Sequence, residues 1–233
     1  TGAFRAYAEA FAERGESLMA RGEREAAVEA WVEAALVCEE NVGDLARAAQ
    51  LYERALELDP THRRALFALG LVLFDLQRWD ALVALYRRRI ELTPDEGERT
   101  TLLQYVAELL AEKKDDPHGA FEALLAAATC APRNVRNLSR LQKLGEVTGR
   151  LPEVAIAVGD VLMHQEDPHL RAALGLRLAE MYLGPLDEPQ RALAHLRGAL
   201  ADDGGNPDVL EEIEDVFRER ARFDELAAFL EEV

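Results

Sequence analysis

The sequence predicts an all-α fold built from about six stacked helix-turn-helix repeats. The main observation is a fixed interval: Pro60 and Pro94 lie 34 residues apart, and a tyrosine, Tyr52 or Tyr86, precedes each of them by eight positions. An interval of this length is typical of helical hairpins that bury their apolar sides against one another. A second observation is that no segment shows the sustained apolar-polar alternation of a strand. We therefore treat the whole chain as a helical array.

Small, apolar and turn-forming residues predict thirteen helices in order along the chain. Small residues such as Ala48 allow two helices to pack closely, and large ones such as Tyr52 fill the space between repeats. Turn residues mark helix starts: Thr93 reads as an N-cap, Pro94 as a first-turn proline and Glu96 as a capping acid. The predicted helices span residues 3–20, 24–41, 44–58, 62–76, 79–92, 95–113, 118–130, 134–148, 152–165, 169–183, 188–202, 207–220 and 223–232.

The repeat frame continues through the second half of the chain with small insertions. Ala120 and Ala127 repeat the second-helix pattern, and Gly204 replaces the closing proline of a later unit. These units resemble the tetratricopeptide repeat, most clearly at Leu69 and Gly70 in the unit that Pro94 closes. The resemblance implies a right-handed superhelical solenoid that binds a partner protein or peptide in its concave groove. It predicts one domain over 1–233, with a leading helix in 1–23 and units 24–60, 61–94, 95–132, 133–167, 168–205 and 206–233.

Composition and charge narrow the class of partner and the cellular compartment. The formal net charge of −17 argues against nucleic acid as a partner, because phosphate binding needs clustered Lys and Arg. The two cysteines, Cys38 and Cys130, fall in separate predicted units and give no disulfide framework, which suits a reducing compartment. No apolar run is long enough to span a membrane. Together with the Ala, Leu, Arg and Glu content, these features predict a cytoplasmic bacterial protein, and the first residue, Thr1, predicts a fragment of a longer chain.

A basic cluster stands out on the helix predicted at 134–148. In the frame that the resemblance supplies, Arg136, Arg140 and Lys143 occupy groove positions, and Arg177 follows on a later first helix. Like charges at helical spacing repel one another, so an acidic neighbour or ligand should offset them. We therefore predict a partner with an acidic segment. The alternative is that these cations balance the acidic surface around them.

Some members of the family bind a C-terminal carboxylate through Lys, Asn and Arg on three successive first helices. Arg136 and Arg140 match the two basic positions of the third helix. The two preceding first helices do not supply the other groups, since they offer Tyr105 and Glu108 in one case and Phe67 and Leu71 in the other. The complete carboxylate clamp is therefore absent.

The helix at 62–76 is apolar almost all round. Leu69 and Leu73 serve the stack, which leaves Phe67, Leu71 and Phe74 for the groove side. A helix without a polar face is usually buried, so we expect these three side chains to pack against neighbouring helices. If they are exposed, they mark a binding site, with Tyr105 on the next first helix.

Catalytic and metal signals are weak. No two of the five histidines share a helix face with a third ligand at metal spacing, and Pro168 places His164 and His169 around a loop. There is no glycine-rich phosphate loop, and both cysteines read as inert thiols. We predict no enzyme activity, no cofactor and no metal.

Two alternatives to a simple binding scaffold remain. The chain could be a regulatory or substrate-recruiting arm of a larger enzyme. It could also be an assembly module that self-associates through its end repeats. The apolar residues of the last predicted helix favour the second alternative: Phe223, Leu226, Phe229 and Leu230.

Overall fold

The computed structural model describes residues 2–131, 137–203 and 207–219, together with Asp224, Ala227 and Phe229. Over these residues the secondary structure is helical and contains no strand, which confirms the predicted all-α class. The α-helices are α1 Gly2–Ala20, α2 Arg24–Val37, α3 Leu45–Leu58, α4 Arg63–Asp75, α5 Trp79–Leu92, α6 Glu96–Lys113, α7 Pro117–Cys130, α8 Leu138–Thr148, α9 Leu151–His164, α10 Pro168–Leu183, α11 Pro189–Asp203 and α12 Pro207–Glu219.

Aspartate side chains begin several of these helices. The carboxylates of Asp44, Asp95 and Asp116 each accept a hydrogen bond from the backbone N–H three residues later. The prediction that Thr93 caps α6 is wrong. Thr93 ends α5 in an extended conformation, which the following proline favours, and its hydroxyl donates to the carbonyl of Arg89 at 2.8 Å. Asp95 therefore begins α6, one turn before the amide that it caps.

A π-helical turn, Cys38–Val42, continues α2 and ends at Gly43, whose φ of +76° is in the left-handed region. The sequence predicts only a regular α-helix here. The wider turn changes the direction of the glutamates that follow Cys38, and Glu39 accepts a hydrogen bond from the Tyr52 hydroxyl at 2.9 Å. Burial of the phenol, reinforced by this hydrogen bond, raises the pKa of Tyr52.

The chain forms two compact units, unit 1 from Thr1 to Pro94 and unit 2 from Asp95 to Val233. Within unit 1, each of helices α1 to α4 packs on the helix that follows it. Within unit 2, the same is true of helices α6 to α11. The boundary between the units falls where the sequence predicts a repeat boundary. The arrangement of all repeats as one right-handed superhelix stays a prediction.

Alanines and glycines set the helix spacing in both units. Ala48, Ala55, Ala120 and Ala127 are buried, as the repeat pattern requires. In unit 1 the indole of Trp31 lies so close to Gly15 that a Cβ there would be 2.4 Å from Nε1. Burying a side chain of this size contributes about 1.5–3 kcal/mol, so close approach at small residues stabilises each hairpin.

Candidate functional site: the first-helix faces

The candidate residues lie on the first helices of the predicted repeats, α2 and α4 in unit 1 and α6, α8 and α10 in unit 2. We use the term first-helix face for the sides of these helices that carry Phe67 and Leu71 in unit 1, and Glu108, Arg140 and Arg177 in unit 2. In both units the opposite sides of these helices hold buried core residues such as Leu69 and Leu138. Each face therefore belongs to a helix that its own unit covers on one side.

The unit 1 face exposes an apolar stripe on α4. Phe67, Leu71 and Phe74 are 66%, 49% and 41% exposed, and their spacing of four and three residues places them on one side of the helix. The expectation that they pack against neighbouring helices is wrong for Phe67 and Leu71. The core of unit 1 takes up the other side of α4, at Ala65 and Leu73, so an apolar helix is covered on only one side.

The end of this stripe is held by an aromatic contact. The rings of Phe74 and Trp79 meet edge to face with their centroids 5.3 Å apart. This geometry is favourable for aromatic pairs and fixes the Phe74 ring at the C-terminal end of α4.

An acidic stripe on α2 accompanies the apolar one. Glu29 Oε1 lies 3.1 Å from His62 Nε2, and Glu33 Oε2 lies 4.0 Å from Arg64 Nη2. Glu40 is exposed on the π-helical turn that continues this helix. Sequence reasoning missed this stripe, although the spacing of four residues between Glu29 and Glu33 could have indicated its first part.

The unit 2 face is charged and largely paired within itself. Arg140 Nη1 lies 2.9 Å from Glu108 Oε1, and Arg140 Nη2 lies 4.0 Å from Glu112 Oε1. An acidic neighbour on α6 thus offsets Arg140, as one of the two sequence alternatives requires. Arg177 donates from Nη2 to the hydroxyl of Ser139 at 2.6 Å.

The other predicted groove residues have different surroundings. Lys143 is exposed on α8, and Tyr105 is half-buried on α6. Arg136 lies outside the described residues. The structure thus places Arg140 and Arg177 on adjoining first helices, one bound to α6 and the other to α8.

The two cysteines have unlike environments, and neither is in a disulfide. Cys38 is buried beside a cavity of about 290 Å³ between α1, the π-helical turn and α3. Burial, followed by the charge of Asp44, raises the pKa of the Cys38 thiol. Cys130 accepts a hydrogen bond from Arg99 Nε at 3.0 Å, a neighbour that the sequence reading did not anticipate.

Two histidines of unit 2, His169 and His195, contact residues of a neighbouring helix. His169 Nδ1 lies 2.6 Å from Asp203 Oδ2, and this hydrogen bond raises the pKa of His169. His195 stacks on Tyr182 with ring centroids 5.6 Å apart, and burial, followed by the charge of Arg191, lowers its pKa. Among the described residues, no group of three His, Cys, Asp or Glu side chains could hold a metal ion.

Two further features bear on the predictions. Within the described part of the chain, no helix is long and apolar enough to cross a membrane. Of the apolar residues in the last predicted helix, Phe229 is buried, and its ring lies 6.0 Å from that of Phe217 between centroids. Phe223, Leu226 and Leu230 lie outside the described residues, so self-association through the end repeats stays a prediction.

Comparisons with known proteins agree with the repeat frame. Two family models described as tetratricopeptide repeat match residues 28–72 and 65–100. The search of curated proteins gave no significant match.

Solved structures resemble the fold at low sequence identity. A structure of Naa15/Naa10 bound to HypK-THB is 18% identical with a TM-score of 0.53, and the match covers 93% of this chain and 32% of that one. The TPR protein YrrB, whose structure is described as having an unusual peptide-binding site, is 18% identical with a TM-score of 0.39; the match covers 87% of this chain and 99% of that one. MamA from Desulfovibrio magneticus is 17% identical with a TM-score of 0.36, and the coverage is 67% and 93%.

Proposed function

We propose that this tetratricopeptide-repeat protein is a non-catalytic cytoplasmic scaffold that holds a partner protein or peptide on its first-helix faces. The observation that carries the proposal is the exposed stripe of Phe67, Leu71 and Phe74. Large apolar side chains that are contiguous on a surface typically mark an interaction site. In this protein they lie on a helix that is already anchored by a complete apolar core on its other side.

The energetics favour a protein partner. Fully burying one Phe or Leu side chain contributes about 1.5–3 kcal/mol, so a partner that covers three of them gains several kcal/mol before its ordering costs. A single exposed apolar residue would need no such explanation. Three on one helix side, with Phe74 held by Trp79, form a surface of fixed shape.

The unit 2 face offers a contact of its own in this proposal. An acidic segment of a partner binds Lys143, which is exposed, and competes with Glu108 for Arg140. Because Arg140 already has a carboxylate partner, the free-energy gain there is a difference between two ion pairs. This contact therefore adds selectivity and salt dependence more than affinity.

A pull-down with matched variants tests the proposal. The chain is immobilised as wild type, as the double variant Phe67→Asn/Leu71→Asn, and as a control with Ile156→Asn/Met163→Asn. The control residues are 65% and 71% exposed on α9, so both variants remove exposed apolar area.

We expect specific proteins that the wild type and the control retain and that the Phe67/Leu71 variant loses. Retention is quantified by mass spectrometry at low and high salt, which separates apolar from ionic binding. Equal retention by all three forms would rule out the unit 1 face as the binding surface.

A further inference from the structure

We propose that the unit 1 face binds a basic amphipathic helix of a partner protein. The apolar side of that helix covers Phe67, Leu71 and Phe74, and its Lys and Arg side chains point towards the acidic stripe of Glu29, Glu33 and Glu40. This inference rests on the proposed function, since it specifies the partner chemistry of the same surface.

The acidic and apolar stripes run side by side. Glu29 contacts His62, and Glu33 contacts Arg64, so two successive turns of α2 lie beside the first turn of α4. Glu40 lies further along the chain, on the π-helical turn that continues α2. A ligand lying along α4 therefore meets apolar side chains beneath it and carboxylates on one flank.

The flank has more negative charge than the protein itself neutralises. Arg64 Nη2 lies 4.0 Å from Glu33 Oε2, which is the limiting distance for an ion pair. His62 is the partner of Glu29, whose side chain is 66% exposed. Glu40 is exposed and has no ion-pair partner among the described residues. Cations from a partner would complete this stripe, and they would also raise the rate of association.

The spacing of the stripe favours a helix over an extended segment. At 1.5 Å per residue, Phe67 to Leu71 spans about 6 Å along the axis and Leu71 to Phe74 about 4.5 Å. A partner helix with apolar residues at i, i+4 and i+7 repeats this unequal spacing. A strand offers one side chain per face every ~6.6 Å and would lose register within the stripe.

Designed peptides test the inference with the 233-residue chain. Three amphipathic helical peptides share one apolar face and carry Lys, Gln or Glu on one flank. Fluorescence anisotropy measures their binding to the wild type, and circular dichroism verifies that the peptides have equal helix content.

We expect the Lys peptide to bind at least about tenfold more tightly than the Glu peptide at low salt, with a smaller ratio at high salt. In the variant Glu29→Lys/Glu40→Lys this order should reverse. Glu53→Lys/Glu57→Lys is the matched control, because it makes the same change in net charge at exposed positions of α3, and it should keep the wild-type order. If the lysine variant is unfolded, Glu29→Gln/Glu40→Gln should still reduce the preference for Lys by about two- to fivefold.

The remaining outcomes separate this inference from the proposed function. Equal binding of the Lys and Gln peptides that Phe67→Asn abolishes would overturn the charge inference and leave the scaffold proposal standing. If no peptide binds, or if Phe67→Asn has no effect on binding, both the charge inference and the scaffold proposal fail at the unit 1 face. Sedimentation velocity tests whether a second copy of the chain covers the unit 1 face. Concentration-dependent dimers that Phe67→Asn dissociates would identify that copy as the occupant and overturn the inference.

Discussion

The first-helix faces of the two units carry opposite chemistry. In unit 1 the face carries Phe67 and Leu71 uncovered beside carboxylates on α2. In unit 2 it carries Arg140, which Glu108 on the adjoining first helix already binds. The unit 1 face is therefore apolar and negatively charged. On the unit 2 face, the charge of Arg140 is balanced by Glu108.

This difference shows that the repeat fixes where a side chain is presented and leaves its energetic role open. Covering an exposed apolar stripe removes apolar surface from water, which is favourable. A paired arginine has already gained most of its ion-pair energy, so a ligand must displace a carboxylate to use it. We therefore expect unit 1 to supply affinity and unit 2 to tune selectivity.

The largest expected effects on stability test a feature that the two units share. In each unit, a glycine allows a side chain of the next helix to approach closely. Gly15→Ala in unit 1 and Gly145→Ala in unit 2 should each lower the free energy of unfolding by about 1–3 kcal/mol. The added Cβ would lie 2.4 Å from Trp31 Nε1 in the first case and 2.5 Å from Val154 Cγ2 in the second. Urea unfolding measures both values.

Gly159→Ala is the control for this pair, because nothing lies within 4 Å of a Cβ at that position of α9. Alanine there should stabilise the helix by up to about 1 kcal/mol through its higher helix propensity. Equal destabilisation by all three substitutions would show that close approach at Gly15 and Gly145 is not what the core depends on.

A smaller effect should separate the two faces by their contributions to stability. A double-mutant cycle on Arg140→Gln and Glu108→Gln should give a coupling of about 0.2–1 kcal/mol that decreases with added salt. Phe67→Asn should change the unfolding free energy by no more than about 0.5 kcal/mol, since its side chain is 66% exposed. A large loss of unfolding free energy in Phe67→Asn, with no coupling between Arg140 and Glu108, would contradict the expected difference between the two faces.

The smallest expected effect is the pH dependence that two histidines of unit 2 give to stability. The pKa of His169 is raised by its hydrogen bond to Asp203, so this contact contributes stability below the ordinary histidine value of 6.5. The contribution is lost as the pH rises through the folded-state pKa. In His169→Gln the unfolding midpoint should therefore fall more at acidic than at alkaline pH, relative to wild type.

His195 should behave with the opposite sign. Burial lowers its pKa, so protonation opposes folding and stability falls as the pH drops through that range. His195→Gln should remove this loss on acidification. Nuclear magnetic resonance titration of the two imidazoles distinguishes them, and identical titration curves would contradict at least one of the two assignments.

Local sequence signals predicted the helices well and their ends less well. The extent of α5 follows from its apolar periodicity, and Trp79–Leu92 matches the predicted bounds. The N-cap of α6 was misassigned by two residues, because both Thr93 and Asp95 are cap formers. The choice between them depends on the extended conformation that Pro94 favours in the residue before it. The π-helical turn at Cys38–Val42 left no recognised signal.

The sequence by itself determined the repeat and the residues that share each helix side, because helical periodicity is a local property of the chain. Only the tertiary structure decided which of those sides are covered. Phe67 and Leu73 are both apolar on α4, yet one is 66% exposed and the other 1%. Likewise, the ion pair of Arg140 depends on Glu108, which lies one repeat earlier in the chain. Coverage and pairing arise from contacts between helices distant in sequence, and the period of one helix carries no information about its neighbours.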